Sequence, residues 1–150
     1  MHLHGLGIDS CREFVYLVLE KCDCSGWTFV QQTFSKRVTF PAEILLSWAD
    51  LASGCHEMAK QGILHRDLTL DNILVVKKDE KYVFKVCDFG VSGTHEDYQE
   101  IPRGKMRNYP PEAIKSEGAG VKGYLQNEKS DVYMMALVMW EMLHNKLVWN

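Results

Sequence analysis

The sequence predicts an α+β fold, because two different hydrophobic periods occur along the chain. Short runs rich in aliphatic, β-branched and aromatic residues at positions 14–19, 73–76 and 82–86 are typical of β-strands. Longer stretches at 41–61 and from 130 onward repeat apolar residues every three or four positions, which is the period of an amphipathic helix. We therefore expect a few short strands beside a mainly helical part.

The composition is that of a soluble globular protein, with 46% hydrophobic and 25% charged residues among 150. The formal net charge of −3 argues against a nucleic-acid-binding protein, whose binding face is usually basic. No apolar run approaches the roughly 18 residues that a membrane span needs, and no secretory signal opens the chain. The five cysteines are odd in number and lack a framework spacing, so we expect reduced thiols and a cytoplasmic location.

The strand-like runs differ in their surroundings. The run at 14–19 reads FVYLVL and predicts a buried strand. The segment 22–36 that follows is polar and interrupted by Gly26, so we predict a connector with at most a short helix. The runs at 73–76 and 82–86 are separated by a charged turn and predict a β-hairpin.

Two helices are predicted with boundaries. In the first helix, Pro41 suits the first helical position and Gly62 suits the end. Its apolar stripe contains Ile44, Leu45, Trp48, Leu51, Ala52, Cys55, Met58 and Ala59. In the second helix, Ser130 suits the N-cap position, and Asp131 suits the first turn, where the helix dipole is positive. Its predicted stripe contains Val132, Met135, Ala136, Met139, Trp140 and Leu143.

Three polar residues flank the predicted hairpin. Asn72 lies where the first strand begins, Asp88 lies where the second ends, and Asp67 precedes Asn72 by five positions. Because antiparallel strands of similar length return to the same edge, Asn72 and Asp88 should lie roughly 5–10 Å apart. Carboxylate and amide oxygens are ligands that Mg²⁺ takes together with phosphate oxygens. The pattern indicates a metal–phosphate site, followed by a long loop at 88–112 of the kind that is usually functional.

Several motifs at fixed spacing resemble the catalytic domain of eukaryotic protein kinases. Residues 65–72 read HRDLTLDN and fit the catalytic loop H-R-D-L-x-x-x-N, and residues 88–90 read DFG. Residues 109–112 read YPPE, which is similar to the A-P-E motif, and residues 130–133 read SDVY, with Trp140 further on, as in the central buried helix of the family. The resemblance implies a partial protein-kinase-like fold, with remnant N-lobe strands and a mainly helical C-lobe that carries the hairpin.

The resemblance implies roles for the polar residues. Asp67 would accept or orient the proton of the substrate hydroxyl, and Asn72 and Asp88 would hold Mg²⁺ against the phosphates of ATP. Arg66 would pair with a phosphorylated residue of the long loop. The available acceptors there are Thr94 and Tyr98.

The resemblance also implies an adenine site and two structural residues. Leu19 would be the gatekeeper, backbone groups at Glu20 and Cys22 would meet the adenine edge, and Leu74 would pack beneath the base. His65 would support the catalytic loop rather than act as an acid or base. The carboxylate of Asp131 would be buried under that loop, with the backbone N–H groups near His65 and Arg66 as its partners.

The family pattern divides the chain into two parts. Residues 1–21, approximately, would form the end of the N-lobe with its hinge strand, and residues 22–150 would form the C-lobe through the central helix, with an insertion around 118–126. The Gly-rich loop, the strand lysine and its helix glutamate are not found in this sequence. We therefore expect exposed apolar surface at both ends and little activity from the chain alone.

Two questions stay open at this stage. Arg107 and Trp140 resemble the tyrosine-kinase or tyrosine-kinase-like branch of the family, and on that basis we favour tyrosine as the acceptor. Thr69 stands where serine/threonine kinases usually carry lysine, but tyrosine kinases would have arginine at position 69 or 71, where this chain has Thr69 and Asp71. The chain could be an ATP-dependent phosphotransferase acting on a protein substrate, or a noncatalytic kinase-like binding or regulatory module. The presence of all three of Asp67, Asn72 and Asp88 favours the enzyme, because a scaffold requires none of them.

Overall fold

Three small antiparallel sheets and four α-helices make up the part of the chain that the computed structural model describes, residues 2–9, 11, 13–34, 42–79, 81–99, 106–118 and 124–148. This confirms the α+β class. The strands are β1 (Leu3–Asp9), β2 (Phe14–Leu19), β3 (Cys24–Ser25), β4 (Ile73–Lys78), β5 (Lys81–Val86), β6 (Tyr98–Gln99) and β7 (Tyr124–Leu125). The helices are α1 (Gly26–Phe34), α2 (Ala42–Lys60), α3 (Pro111–Gly118) and α4 (Glu128–His144), with a 3₁₀ turn at Met106–Asn108.

Helix α2 buries one face, as its apolar stripe predicted, and that face packs on β5 of the hairpin. Ile44, Trp48 and Leu51 are buried, and the Trp48 ring meets Phe84 of β5 edge-on, with ring centroids 5.6 Å apart. Leu45 is half exposed, so its place in the stripe is wrong. One residue along a helix is a rotation of about 100°, which turns Leu45 away from the face that Ile44 buries.

The ends of α2 were predicted from Pro41 and Gly62. Gly62 follows the helix with φ +74°, the left-handed conformation in which glycine commonly ends helices, so the predicted stop is confirmed. Pro41, the predicted start, lies outside the described residues.

The segment after the first hairpin contains a nine-residue helix, so its prediction as a connector with at most a short helix understated its order. Phe29 and Val30 of α1 are buried, and the Phe29 ring lies edge-on to Tyr82 at 4.8 Å between centroids. Gly26 begins the helix instead of interrupting it. A Cβ at Gly26 would lie 2.8 Å from the carbonyl oxygen of Leu70, so glycine permits this close approach.

The strand predicted at 14–19 is present, but the prediction that it is buried is wrong. All six residues of β2 are exposed, although β2 pairs with β1 along its whole length. A two-stranded sheet covers neither of its own faces, and β1 is the described element with which β2 makes extensive contact. The expected exposed apolar surface is found here, at Phe14, Val15 and Leu17 among others.

Helix α4 begins earlier than predicted. Its N-cap is Asn127, whose side chain accepts a hydrogen bond from the backbone N–H of Lys129 at 2.9 Å. Ser130, the predicted N-cap, is instead the third helical residue, and its hydroxyl accepts from the N–H of Asn127 to complete a capping box. Both serine and asparagine cap helices well, so residue type alone could not decide between them.

The buried face of α4 is the predicted one only in part, since Met135 and Met139 of the predicted stripe are half-buried against the core. The buried residues are Ser130, Asp131, Met134, Val138, Glu141 and Met142. Members of the predicted stripe such as Val132 and Trp140 are exposed by 57% and 41%. Apolar residues surround this helix on all sides, so their spacing did not identify the side that meets α1 and α2.

The predicted long loop at 88–112 is irregular in most of its described part. It contains the two-residue strand β6, which pairs with β7, and it leads into α3 at Pro111. No described helix is both long and apolar enough to cross a membrane.

Candidate active site

The catalytic-loop backbone is held by one buried carboxylate. Asp131, on α4, is 9% exposed, and its Oδ2 and Oδ1 accept the backbone N–H groups of His65 at 2.7 Å and Arg66 at 2.8 Å. Arg66 has φ +70°, a left-handed conformation that costs a non-glycine residue roughly 1–2 kcal/mol. The two hydrogen bonds offset that cost, and they confirm the predicted place of Asp131 beneath the loop.

The His65 ring joins the catalytic loop to the end of the hairpin. Its Nε2 donates to the carbonyl of Cys87 at 3.0 Å, and its Nδ1 accepts the N–H of Asp67 at 3.3 Å. This pair of contacts requires the neutral tautomer with the proton on Nε2. Burial lowers the pKa of His65, because the charged form loses its hydration. The ring also lies edge-on to Phe89, with centroids 5.1 Å apart.

Asp67 and Asn72 are in direct contact. The Nδ2 of Asn72 donates to the carbonyl oxygen of Asp67 at 2.8 Å and to its carboxylate Oδ2 at 2.9 Å. The backbone N–H of Asn72 donates to the carbonyl oxygen of Thr69 at 3.0 Å, which closes a turn from Thr69 to Asn72. Both contacts use the amide nitrogen of Asn72, so its amide oxygen takes no part in them.

Asp88 lies at the same end of the hairpin. Ile73 is paired with Val86, and the N–H of Cys87 donates to the carbonyl of Asn72 at 2.9 Å, so Asp88 follows directly. Asp88 is exposed and has φ +62°, which aspartate tolerates better than most residues, and its Oδ1 accepts the N–H of Gly90 at 3.2 Å. Hairpin return therefore brings Asp67, Asn72 and Asp88 to one end, as their spacing predicted.

The donor set at this end suits Mg²⁺. Asn72 offers an amide oxygen and Asp88 a carboxylate, which are hard oxygen ligands. No group of three or more His, Cys, Asp or Glu side chains able to hold a metal occurs among the described residues. Mg²⁺ is commonly held by one or two protein ligands together with substrate phosphates.

The expected adenine-site residues lie on two adjoining segments. Leu19 ends β2, Glu20 and Cys22 follow it, and Leu74 lies on β4 opposite Lys85. The Nζ of Lys85 lies 2.6 and 2.5 Å from the two carboxylate oxygens of Glu20, and these hydrogen bonds lower the pKa of Glu20. The ion pair ties the segment after β2 to the hairpin. Nothing in the sequence pointed to Lys85, because its partner Glu20 lies 65 positions away and such a separation leaves no local pattern.

The Arg66 side chain is hydrogen-bonded to the loop that follows the hairpin. Its guanidinium is 4% exposed, and Nη2 donates to the carbonyl oxygens of Thr94 and, at 2.9 Å, of Asp97. Asp97 was not among the predicted site residues. Tyr98 lies in β6, paired with Leu125, and its side chain is outside the described residues. The proposed phosphorylation of Thr94 and Tyr98 stays a prediction.

Comparison with known proteins identifies the family. The family described as protein tyrosine and serine/threonine kinase matches residues 2–147. The chain therefore belongs to the protein kinases and is a transferase by family, and the motif-based assignment to the tyrosine-kinase-like side of the family is confirmed.

Three relatives show the range of similarity. The mitogen-activated protein kinase kinase kinase dlk-1 of Caenorhabditis elegans is 31% identical over 142 residues, which is 92% of this chain and 14% of dlk-1. The dual specificity protein kinase zakA of Dictyostelium discoideum is 34% identical over 62% of this chain and 12% of zakA. The serine/threonine-protein kinase CTR1 of Arabidopsis thaliana is 33% identical over 67% of this chain and 12% of CTR1. The chain thus spans less than a fifth of each relative.

Replacing Asp131 tests the anchor of the catalytic loop. In Asp131→Ala the N–H groups of His65 and Arg66 lose their buried acceptor, so we expect the free energy of unfolding to fall by about 1–3 kcal/mol. Urea unfolding measures it. The control is Glu128→Ala, which removes an exposed carboxylate from the same first helical turn. Equal stability of the two variants would contradict the anchoring role.

The buried neutral His65 predicts a pH dependence of stability. The unfolded chain binds a proton on this residue near the ordinary histidine pKa of about 6.5, while the folded chain, with its lowered pKa, binds less. Stability therefore falls as pH decreases from 7 to 5. Urea unfolding at several pH values should show a smaller fall in His65→Gln than in the wild type or in His56→Gln, which changes an exposed histidine. Parallel profiles in all three proteins would refute this account of His65.

Proposed function

We propose that this chain serves Mg²⁺-dependent transfer of the γ-phosphoryl group of ATP to a hydroxyl group of a protein substrate. The observation that carries the proposal is the contact between Asp67 and Asn72 at the hairpin end that also bears Asp88. We also propose the division into about 1–21 as the end of an N-lobe with its hinge and 22–150 as a C-lobe. The five cysteines form no disulfide, which supports a cytoplasmic location.

Asp67 orients the substrate and receives its proton. Its carboxylate is 8% exposed and is held by the Asn72 amide, so it cannot rotate freely. A positioned carboxylate beside the substrate hydroxyl directs the oxygen lone pair toward the phosphorus and takes up the proton as the bond to phosphorus forms. The backbone of Asp67 is held in turn through its N–H, which donates to the neutral ring of His65.

Asn72 and Asp88 are the residues that would hold Mg²⁺. When bound, the ion neutralises charge on the phosphate oxygens of ATP. The backbone of Glu20 and Cys22 would meet the adenine edge, and the side chain of Leu74 would pack beneath the base. The Glu20–Lys85 ion pair joins the two segments that carry these groups, which supports their belonging to one site.

The acceptor that we favour is serine or threonine. The similar proteins zakA and CTR1 carry dual specificity and serine/threonine in their names. The sequence-based preference for tyrosine depended partly on Arg107. Its Nε lies 3.3 Å from Asn108 Oδ1 and 3.8 Å from the buried carboxylate of Glu141. A structural partner therefore accounts for Arg107 without any reference to tyrosine substrates.

Phosphate transfer from radiolabelled ATP tests the proposal, with serine, threonine and tyrosine peptides in parallel. For the 150 residues alone we expect turnover near background, since their sequence contains no Gly-rich loop or strand lysine to hold the phosphates. The same chain fused behind a kinase N-lobe that supplies both should phosphorylate the serine or threonine peptide. In that fusion, Asp67→Asn should lower kcat by about 10²-fold or more.

Asp71→Asn is the matched control, because it changes an exposed carboxylate of the same loop. It should retain activity. Equal activity of the Asp67 and Asp71 variants would exclude the proposed role of Asp67. A fusion that folds but neither transfers phosphate nor binds Mg-ATP would favour the noncatalytic kinase-like module.

A further inference from the structure

The Arg66 guanidinium has an anionic partner supplied by the loop itself. Nη2 of Arg66 donates to the carbonyl of Thr94 and to that of Asp97 at 2.9 Å, and it lies 3.9 Å from the Asp97 carboxylate Oδ2. A guanidinium that is 4% exposed needs compensation for its lost hydration. Two carbonyl dipoles and one carboxylate provide it, and none of these groups requires a covalent modification.

Asp97 also builds the turn that presents these groups. Its Oδ2 accepts the backbone N–H of Thr94 at 2.5 Å and the Thr94 hydroxyl at 3.1 Å, and its own N–H donates to the Thr94 carbonyl at 3.2 Å. The Asp97 carboxylate therefore closes residues 94–97 on themselves. The same closure directs the Thr94 and Asp97 carbonyls toward Arg66. Removing the carboxylate would affect both the turn and the charge balance.

The segment before the turn is packed directly on the catalytic loop. Leu64 and Gly93 exchange two backbone hydrogen bonds of 2.8 and 3.1 Å, and the Ser92 hydroxyl donates to the carbonyl of His65 at 3.2 Å. A Cβ at Gly93 would lie 2.6 Å from Nη1 of Arg66 and 2.7 Å from Oδ2 of Asp97. A larger residue would have to displace one of these side-chain ends, so glycine leaves room for the pair as it stands.

The turn at 94–97 covers the Arg66 guanidinium and separates it from a phosphate group on any other residue. Among the described residues, Nε of Arg66 is buried without a hydrogen-bond partner. A bidentate contact between phosphate and arginine uses two neighbouring N–H groups, and the turn at 94–97 would have to leave for the phosphate to reach them.

We propose that Asp97 is a positioning residue that acts through Arg66 and holds residues 92–97 on the catalytic loop without phosphorylation. The inference rests on the proposed function in one respect, because the docked segment is taken to keep Asp67 aligned for phosphoryl transfer. Asp97 does within the chain what the family resemblance assigned to a phosphorylated loop residue.

Phosphorylation of Thr94 would oppose this arrangement. The Thr94 hydroxyl oxygen is 3.1 Å from the Asp97 carboxylate, so a phosphate on it would bring nearly two further negative charges beside an existing one. Like-charge repulsion at that distance would open the turn. Modification of Thr94 therefore releases the segment, which is the reverse of the ordering by Arg66 that the family resemblance implied.

Amide hydrogen exchange of the 150-residue chain tests the proposal directly. The readouts are the N–H groups of Leu64 and Gly93, with Val138 in α4 as the reference for global unfolding. Phosphatase treatment of the wild type should leave exchange unchanged. Asp97→Asn should speed exchange at Leu64 and Gly93 by about tenfold or more relative to Val138.

Matched variants separate charge from general damage. Glu96→Gln, which changes the neighbouring exposed carboxylate, should behave as wild type. Asp97→Glu should retain more protection than Asp97→Asn, because it keeps the charge, and Thr94→Glu should lose protection while Thr94→Val keeps most of it. Equal loss at Val138 would assign Asp97 a general structural role and overturn the proposal. Faster exchange after phosphatase treatment would overturn it as well.

A kinetic readout distinguishes this proposal from the proposed function. In the active fusion, Asp97→Asn should lower kcat by about tenfold to 10²-fold with a smaller change in the KM for ATP. An unchanged kcat would refute the positioning role even if Asp67→Asn abolishes transfer. If no variant transfers phosphate, the proposed function fails, while the exchange experiment still decides whether Asp97 docks the segment.

Discussion

The structure depends on one carboxylate, that of Asp131, and on the two backbone N–H groups that it accepts. The hydrogen bonds from His65 and Arg66 are 2.7 and 2.8 Å long and are buried. They hold a residue in the left-handed region that its side chain disfavours. Because Asp131 belongs to α4, which packs on α1 and α2, the helical core fixes the path of the catalytic loop.

Three consecutive residues of the loop make further connections. His65 reaches the carbonyl of Cys87 at the hairpin end, Arg66 reaches the turn at 94–97, and Asp67 meets Asn72. The first two join the loop to different segments, and the third holds the loop itself together. The constraint imposed at two backbone atoms is thereby passed to the end of the hairpin where we propose metal binding, to the following loop and to the candidate base. An error in the loop backbone would displace all three together, so the site is positioned as a unit.

The pattern of residues predicted those structural features that depend on a local hydrophobic period or on the spacing within a motif. The hairpin followed from alternating strand runs, and the meeting of Asn72 with the Asp88 end followed from its return. The buried face of α4 could not be predicted in this way, because its apolar residues occur on all sides. Only its packing against α1 and α2 selects Met134 and Val138. The contact of Asp97 with Arg66 could not be predicted either, because the two residues lie 31 positions apart in the sequence.

The central claim is that the Asp131 carboxylate keeps the catalytic loop closed for as long as the domain is folded. Hydrogen exchange of the His65 and Arg66 amides, followed across a series of low urea concentrations, measures this directly. The account predicts that both amides exchange with the same free energy and the same urea dependence as the core amide of Val138, because they open only when the fold opens. Faster exchange that is independent of urea would show local opening of the loop and would contradict the claim.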